Sequence, residues 1–464
     1  MTPLHQATSG ALFLALILLV VAGPAWPQSD EKLTAVPATE AQSLQAEGRT
    51  EEAILSYQQA IGQAPENAQL WIELGEAYRM VLRMPHAIAA FRKALELSPD
   101  HEVAQLALAE CYRQLGNHDE AQRLLEAAVA AHPDSSAPAI ALGRFHMDLQ
   151  QHDQALAELL AALEIDPDNA AARVLLGAVY KSLADFEAAL AEFDRAIARQ
   201  PDNALALYWR ASIYADRNDT DRALPDAERV VELEPAKARG RFLLATILVR
   251  DGQCTAGVEH LERILADEPD HTESASLLAR AYQCAGRPED AAEIRLRFAA
   301  LAKQVHKERE SETQADHLVS EAREHAQNGR PNEALKILQR ALEQDPDNDS
   351  AYTQLAKIHY SAGNFQIARE AAEIALQHNP YKSDTLYVLG RTLTQLGDPE
   401  GARDVYTQTT LINPLDSEAL FYLAQVHLEL DDRAAAVAAL EKAVALEPEN
   451  EELAAALAAV KAES

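Results

Sequence analysis

The sequence predicts an all-α fold, a superhelical solenoid built from antiparallel helix pairs. The first observation is a 34-residue period between prolines, kept over most of a 464-residue chain. These prolines form two series: Pro65, Pro99, Pro133, Pro167, Pro201, Pro235 and Pro269, followed by Pro346, Pro380, Pro414 and Pro448. A fixed period between about 20 and 50 residues is typical of stacked repeats, and it overrules the division into compact domains that length alone would suggest.

The second observation is that each period contains two amphipathic helices. In the period that starts at Ala68, the apolar and small residues recur every three or four positions, which places them on one face of a helix. They are Trp71, Leu74, Gly75 and Tyr78 on the first predicted helix, and Ala87, Phe91 and Ala94 on the second. The small residues allow the two helices to approach closely, and the aromatic residues fill the space between them.

The third observation is the way in which these helices end. The segments "LEIDPDN" at 163, "AIARQPDN" at 196 and "LEQDPDN" at 342 each follow an alanine-rich run. Proline cannot continue a helix, and the Asp or Asn beside it caps the helix that follows. The same short segment therefore ends one helix pair and begins the next.

This pattern resembles the tetratricopeptide repeat, and the resemblance covers roughly residues 34–450. It implies that the first helix of each repeat, helix A, lines the concave face of the solenoid and the second, helix B, the convex face. Three residues depart from the pattern: Arg210 replaces the usual Leu, Gly257 the usual Ala, and Lys303 the closing Pro. The twelve predicted repeats begin at Thr34, Ala68, Glu102, Ser136, Ala170, Ala204, Ala238, Thr272, Ala315, Asp349, Ser383 and Ser417.

The period also divides the chain into segments. We predict a signal peptide or N-terminal anchor at 1–25, a linker at 26–33, repeats 1–8 at 34–305, a charged insertion at 306–314, repeats 9–12 at 315–450, and a capping helix at 451–464. No Gly or Pro occurs between Pro288 and Gly329. This absence of helix breakers favours one long helix across the insertion, and the alternative is a charged break between two blocks of repeats.

The N-terminus differs in composition from the repeats. Ala11–Ala22 is a run of twelve apolar residues, which is too short for a comfortable membrane span and fits the apolar core of a signal peptide. The small residues of Gly23-Pro24-Ala25 offer a cleavage site before Trp26, although no Lys or Arg precedes the run. We therefore expect a periplasmic or secreted protein. The alternative is an inner-membrane tether formed by residues 11–26, with the repeats facing the periplasm.

Charge and motifs restrict the function classes. The net charge of −32 makes nucleic acid an improbable partner, because both surfaces are negative. The sequence contains no GxxxxGK, HExxH, CxxC or GxSxG motif, and the repeats leave no room for an appended catalytic domain. We predict that the chain is not an enzyme, with no cofactor and no small-molecule substrate.

Histidines and cysteines provide weaker signals. His146, His325, His359 and His427 occupy a position where other repeats carry Tyr. Helices pack about 8–10 Å apart, so equivalent rings in adjacent repeats cannot share a metal ion, and we expect them to pack in place of tyrosine.

Stacked turns can bring Cys254 and Cys284 together in a disulfide, or the two thiols stay unpaired. Cys111 is expected to be a buried apolar residue.

The candidate binding residues lie on helices A of the last repeats. The resemblance implies that partner peptides contact positions 2, 5, 9, 12 and 13 of each repeat. Position 9 holds Arg323, Lys357 and Arg391 in three successive repeats, and Tyr360, Tyr387 and Phe421 lie on the same predicted face. These residues predict a basic groove with aromatic platforms, suited to an extended acidic segment or a C-terminal carboxylate. The alternative is that the bases pair with acids on adjacent helices and contribute little.

The sequence thus predicts a non-catalytic scaffold for protein–protein interaction in the bacterial cell envelope. Its partner segments would bind along the concave face. The alternative function is that of a membrane-tethered assembly factor, or an accessory subunit, for exopolysaccharide, pilus or cytochrome biogenesis. The sequence contains no signal that identifies the partner itself.

Overall fold

The computed structural model describes residues 38–462, and every regular element in this range is an α-helix. The predicted signal peptide or anchor at 1–25, the linker at 26–33 and the start of the first repeat lie outside the described residues. The all-α solenoid of helix pairs is confirmed. No helix among the described residues has the length and apolar composition that crossing a membrane requires.

The helices follow the 34-residue period of the sequence. Helices A of repeats 1–8 and 10–12 are Ala38–Ala46, Ala68–Met80, Glu102–Gln114, Ser136–Asp148, Ala170–Ser182, Ala204–Asp216, Ala238–Arg250, Thr272–Cys284, Asp349–Ser361, Ser383–Leu396 and Ser417–Glu429. Helices B of repeats 1–7 and 9–12 are Thr50–Gln63, Met84–Leu97, His118–Ala131, His152–Ile165, Phe186–Arg199, Thr220–Leu233, Cys254–Asp267, Pro331–Gln344, Phe365–His378, Pro399–Ile412 and Arg433–Leu446.

One helix departs from this arrangement. Pro288–Gln327 is a continuous helix of 40 residues. It contains helix B of repeat 8, the charged insertion at 306–314 and helix A of repeat 9, which is the outcome that the absence of Gly and Pro favours. A final helix, Glu451–Ala462, follows repeat 12 at the place of the predicted capping helix.

The helices begin and end for identifiable reasons. Asn169, Asn203 and Asn348 accept a hydrogen bond from the backbone N–H three residues ahead, as expected for N-caps. Between helix A and helix B, one residue with positive φ recurs at the same place in every repeat. It is glycine in seven repeats, including Gly116 at φ 74°, and Leu82 takes the same conformation at φ 59°. This left-handed residue turns the chain back on itself.

The core between the two helices of a repeat depends on a small residue facing a large one. A Cβ atom added to Gly75 would lie 2.6 Å from Phe91, and one added to Gly177 would lie 2.6 Å from Phe193. Both phenylalanines are fully buried. The close approach that the sequence predicts is therefore present.

The described residues form two compact units. One contains residues 118–309, and the other contains residues 38–117 together with 310–462. Within the second of these, repeats 2 and 3 contact repeats 10 and 11. Asn117 Nδ2 donates to the Ile412 carbonyl at 3.1 Å, Tyr381 Oη donates to the Leu82 carbonyl at 2.5 Å, and Leu115 packs against the apolar core around Leu389.

Candidate functional site

Two of the predicted basic residues line one cleft. Arg323 and Lys357 lie on helices A of repeats 9 and 10, because position 9 recurs on the same face of each helix A. The cleft has a volume of about 770 Å³ and includes Asp384 from helix A of repeat 11. Gly329 and Pro331, at the turn between helices A and B of repeat 9, also line it.

The cleft combines paired and unpaired charges. Lys357 Nζ lies 2.8 Å from Asp384 Oδ2. The hydrogen bond from Lys357 holds the pKa of Asp384 below its usual value. The positive charges of Lys382 and Arg323 lower this pKa further, whereas burial of the carboxylate opposes the effect. Arg323 is exposed and has no ion-pair partner among residues 38–462. Pairing with an adjacent acid therefore accounts for Lys357 but not for Arg323.

Arg391 lies among aromatic rings. Its guanidinium carbon is 4.7 Å from the ring centre of Tyr360 and 5.7 Å from those of Tyr387 and Tyr422. Within the described chain no carboxylate forms an ion pair with it. Cation–π contacts of this kind contribute about 0.5–2 kcal/mol each and fix the plane of the guanidinium. Its N–H groups keep the geometry that binds a carboxylate in two places.

The tyrosines form a packed aromatic cluster. The ring of Tyr387 is 5.6 Å from that of Tyr422, and the ring of Tyr406 stacks on Tyr422 at 5.8 Å. Tyr387 Oη donates a hydrogen bond to Glu418 Oε1. Burial, together with the neighbouring carboxylate of Glu418, raises the pKa of Tyr387 above its ordinary value. Tyr387 therefore stays neutral at physiological pH.

The remaining predicted residue, Phe421, lies at the edge of this cluster. Its ring is 5.7 Å from that of Tyr422, and it also packs against the cores that contain Leu440 and Leu453 near the end of the chain. The structure thus brings Arg391, Tyr360 and Tyr387 together and connects Phe421 to them through Tyr422. Sequence reasoning missed Tyr422 and Asp384. Asp384 occupies position 2, one of the contact positions of the resemblance, whereas Tyr422 at position 6 gave no such signal.

The other candidate residues lie elsewhere. The structure joins Cys254 and Cys284 by a disulfide with Cα atoms 5.8 Å apart. Cys111 is fully buried, and burial raises the pKa of its thiol to about 12. His146 is buried, with its Nδ1 at 2.7 Å from Gln151 Oε1. Residues 38–462 contain no group of three or more His, Cys, Asp or Glu side chains arranged to hold a metal ion.

Family models of the tetratricopeptide repeat match nearly all of this architecture. The matched segments are 39–102, 174–240, 353–410 and 387–451 for one model, 85–145, 214–280 and 325–373 for a second, 143–184 for a third and 274–307 for a fourth. The chain is a tetratricopeptide repeat protein. Membership of this family supports a scaffold for protein–protein interaction with protein partners, and such scaffolds are generally non-catalytic.

Several solved tetratricopeptide repeat proteins are similar to parts of this chain. MamA from Desulfovibrio magneticus RS-1 is 20% identical over 36% of this chain and 96% of its own, with a TM-score of 0.35. YrrB, described as having an unusual peptide-binding site, is 24% identical over 40% and 95%, with a TM-score of 0.30. PilW, a type IV pilus biogenesis factor, is 24% identical over 46% and 98%, with a TM-score of 0.41. No curated protein sequence matches the chain.

Proposed function

We propose that this tetratricopeptide repeat protein is a non-catalytic scaffold that binds an extended acidic segment of a partner protein. The binding surface is the helix-A face of repeats 9–12, which the family pattern places on the concave side. One observation carries the proposal: three basic residues occupy the same register on successive helices A, and two of them have no ion-pair partner among the described residues.

The chemistry of this surface fits carboxylate ligands. Arg391 is oriented by tyrosine rings, so little side-chain freedom is lost when its N–H groups bind a carboxylate. Arg323 offers a second guanidinium at the cleft. Lys357 can exchange the carboxylate of Asp384 for one from the ligand, because exposed ion pairs contribute at most about 1 kcal/mol. Each charge-assisted hydrogen bond then contributes about 1.5–3 kcal/mol.

The test is charge reversal of the three bases, Arg323→Glu, Lys357→Glu and Arg391→Glu, in the full chain. The probe is a fluorescein-labelled extended peptide rich in Glu, prepared with a free and with an amidated C-terminus, and binding is followed by anisotropy. We expect the triple variant to lose at least 100-fold in affinity, which corresponds to about 2.8 kcal/mol. If the unmodified chain binds the peptide with a free C-terminus but not the amidated peptide, the surface recognises a terminal carboxylate.

The matched control reverses three exposed bases on helices B, Lys336→Glu, Arg340→Glu and Lys442→Glu. It changes the net charge by the same amount, so it measures long-range repulsion of the probe. Equal weakening by both triple variants, or no binding of either peptide to the unmodified chain, would refute the proposed surface.

We also propose that the protein acts in the bacterial cell envelope, on the periplasmic side. The apolar run Ala11–Ala22 and the disulfide between Cys254 and Cys284 support an oxidising compartment, where such bonds persist. N-terminal sequencing of the protein from cells separates the two forms of this proposal. A chain that starts at Trp26 supports an exported scaffold, and an uncleaved chain supports a membrane-tethered assembly factor. A reporter fused after Ser464 that is active only in the cytosol would contradict both.

A further inference from the structure

Repeat 8 breaks the packing rule of the repeats before it. In repeats 2–7 the central core position of helix B is apolar and buried, and it is occupied by Phe91, Leu125, Leu159, Phe193, Ala227 and Leu261. The residue 34 positions after Leu261 is Arg295, which is exposed. A charged, exposed side chain therefore occupies a position that is apolar and buried in repeats 2–7.

Beside Arg295 the two helices pack less completely, because Ile294 and Phe298 are only partly buried where they contact the core around Leu278. Ala291 is 1% exposed, so the two helices of repeat 8 still pack at the start of helix B. One turn beyond Arg295, Phe298 is half-buried, whereas its counterparts Ala94, Ala128, Ala162, Ala196, Val230 and Ile264 are at most 1% exposed. Between these elements lies a cleft of about 400 Å³, and its walls include Ala275, Ala279, Ile294 and Phe298.

In an earlier repeat the corresponding space is filled by a helix. Helix A of repeat 8, Thr272–Cys284, packs against both Ala238–Arg250 and Cys254–Asp267, the two helices of repeat 7. The period assigns residues 306–318 to the same role on repeat 8, but these residues continue the helix that starts at Pro288. The chain does not turn back after residue 303, so residues 306–318 do not fold back over the cleft.

The charge around the cleft is opposite to that of the whole protein. The charged residues that line the cleft are two arginines, with no acidic residue among the lining side chains, in a chain with a net charge of −32. Arg280 and Arg295 belong to the cleft walls, and neither has an ion-pair partner in the described part of the chain. Arg295 is held by a hydrogen bond of 2.7 Å to Gln283 Oε1. A ligand with carboxylates beside an apolar stripe complements both features.

We infer that this cleft docks an amphipathic helix of a partner protein, with small apolar residues on its contact face and acidic residues on both flanks. The docked helix takes the place that helix A of the next repeat has elsewhere. A bilayer is a poorer occupant, because the apolar side chains of Ile294 and Phe298 lie within a cleft that a flat surface does not enter. This site is separate from the basic surface of repeats 9–12 and does not rest on it.

The test compares two adjacent alanines on the exposed part of the long helix. Ala299 lines the cleft and Ala300 does not, and both are exposed. Ala299→Glu and Ala300→Glu add the same charge and are compatible with the helix, since Glu is a good helix former. The probe is a fluorescein-labelled helical peptide of about 18 residues, with a Leu and Ala stripe flanked by Glu. Its counterpart carries Lys in place of every Glu.

We expect the full chain to bind the acidic peptide at least tenfold more tightly than the basic one. Ala299→Glu should weaken this binding at least tenfold, and Ala300→Glu should leave it within a factor of two. Arg280→Glu with Arg295→Glu should weaken it as well, and Lys336→Glu with Arg340→Glu, which reverses two exposed bases outside the cleft, should not.

Four outcomes would overturn the inference. Three of them concern the peptides: the absence of saturable binding, equal affinity for the two peptides, and equal effects of the two alanine variants. The fourth is a dimer in light scattering that Ala299→Glu disrupts, because the occupant of the cleft would then be a second copy of the chain. Binding to phosphatidylglycerol vesicles that Ala299→Glu abolishes would replace the protein helix by a membrane.

Discussion

At the residue scale, the repeats depend on a match between facing side chains. Gly177 faces Phe193, and Gly390 faces Tyr406, with less than 3 Å available for a Cβ atom in each case. Where position 8 is Ala, the facing residue can be Leu, as for Ala245 with Leu261. In the repeats of Gly177 and Gly390, the ring on helix B lies so close that helix A carries a residue without a Cβ atom.

We expect Gly177→Ala to destabilise the protein by about 1–3 kcal/mol, because the added methyl group overlaps the ring of Phe193. Higher helix propensity of Ala, worth up to about 1 kcal/mol, opposes this effect only in part. Chemical denaturation monitored by circular dichroism, with hydrogen exchange of helix Ala170–Ser182, measures the change.

The matched control is Gly177→Ala combined with Phe193→Leu, which recreates the pair that repeat 7 uses. The double variant should recover most of the loss. A single variant as stable as the unmodified protein, or a double variant that is less stable than the single one, would contradict the role assigned to this contact.

At the element scale, the disulfide ties repeat 7 to the irregular repeat 8. Cys254 is the first residue of helix B in repeat 7, and Cys284 is the last residue of helix A in repeat 8. Beyond Cys284 the chain enters the long helix, whose early part packs less completely than other helices B. A covalent link at this point limits fraying of the interface between the two repeats.

We expect reduction of this disulfide to weaken protection in residues 254–284, by about 3.6 kcal/mol for a loop with a sequence separation of 30. Hydrogen exchange with and without dithiothreitol checks this. The variant Cys254→Ala with Cys284→Ala should show the reduced-state pattern and no response to reductant. A response of the double variant, or no response of the unmodified chain, would show that the bond does not stabilise this interface.

The helices themselves could be predicted almost completely from the sequence. Helices A begin at Ala68, Ala170 and Ser417, where the proline period places them, because a proline ends one helix and the Asn or Asp two residues later caps the next. Even the departure at Arg210 keeps the repeat intact: its guanidinium binds both carboxylate oxygens of the buried Asp226, at 2.7 and 2.8 Å. The repeat pattern identifies Arg210 only as a residue that replaces the usual Leu. It gives no sign of the ion pair, because Asp226 lies 16 residues away.

At the scale of the whole molecule, the 34-residue period predicts contacts between neighbouring repeats but no contacts between distant repeats. Asp384 lies close to Lys357 because it is in the next repeat, and it could have been found from the period. Tyr112 Oη, in contrast, donates to the Leu411 carbonyl at 3.2 Å across 299 residues of sequence. No pattern within one repeat encodes a contact of this kind, because its two partners lie eight repeats apart.

These distant contacts lead to the last prediction. Tyr381→Phe with Asn117→Ala removes two hydrogen bonds between repeats 2–3 and repeats 10–11, each worth about 1 kcal/mol. The free-energy difference of about 2 kcal/mol should raise the population of the separated state roughly 30-fold. Nitroxide labels at the exposed Glu96→Cys and Glu400→Cys positions report the distance by pulsed dipolar spectroscopy, which should broaden toward longer values. The control is Tyr352→Phe with Asn328→Ala, which leaves these contacts intact and should keep the narrow distance distribution. If the two double variants give identical distance distributions, packing around Leu115 alone holds the repeats together.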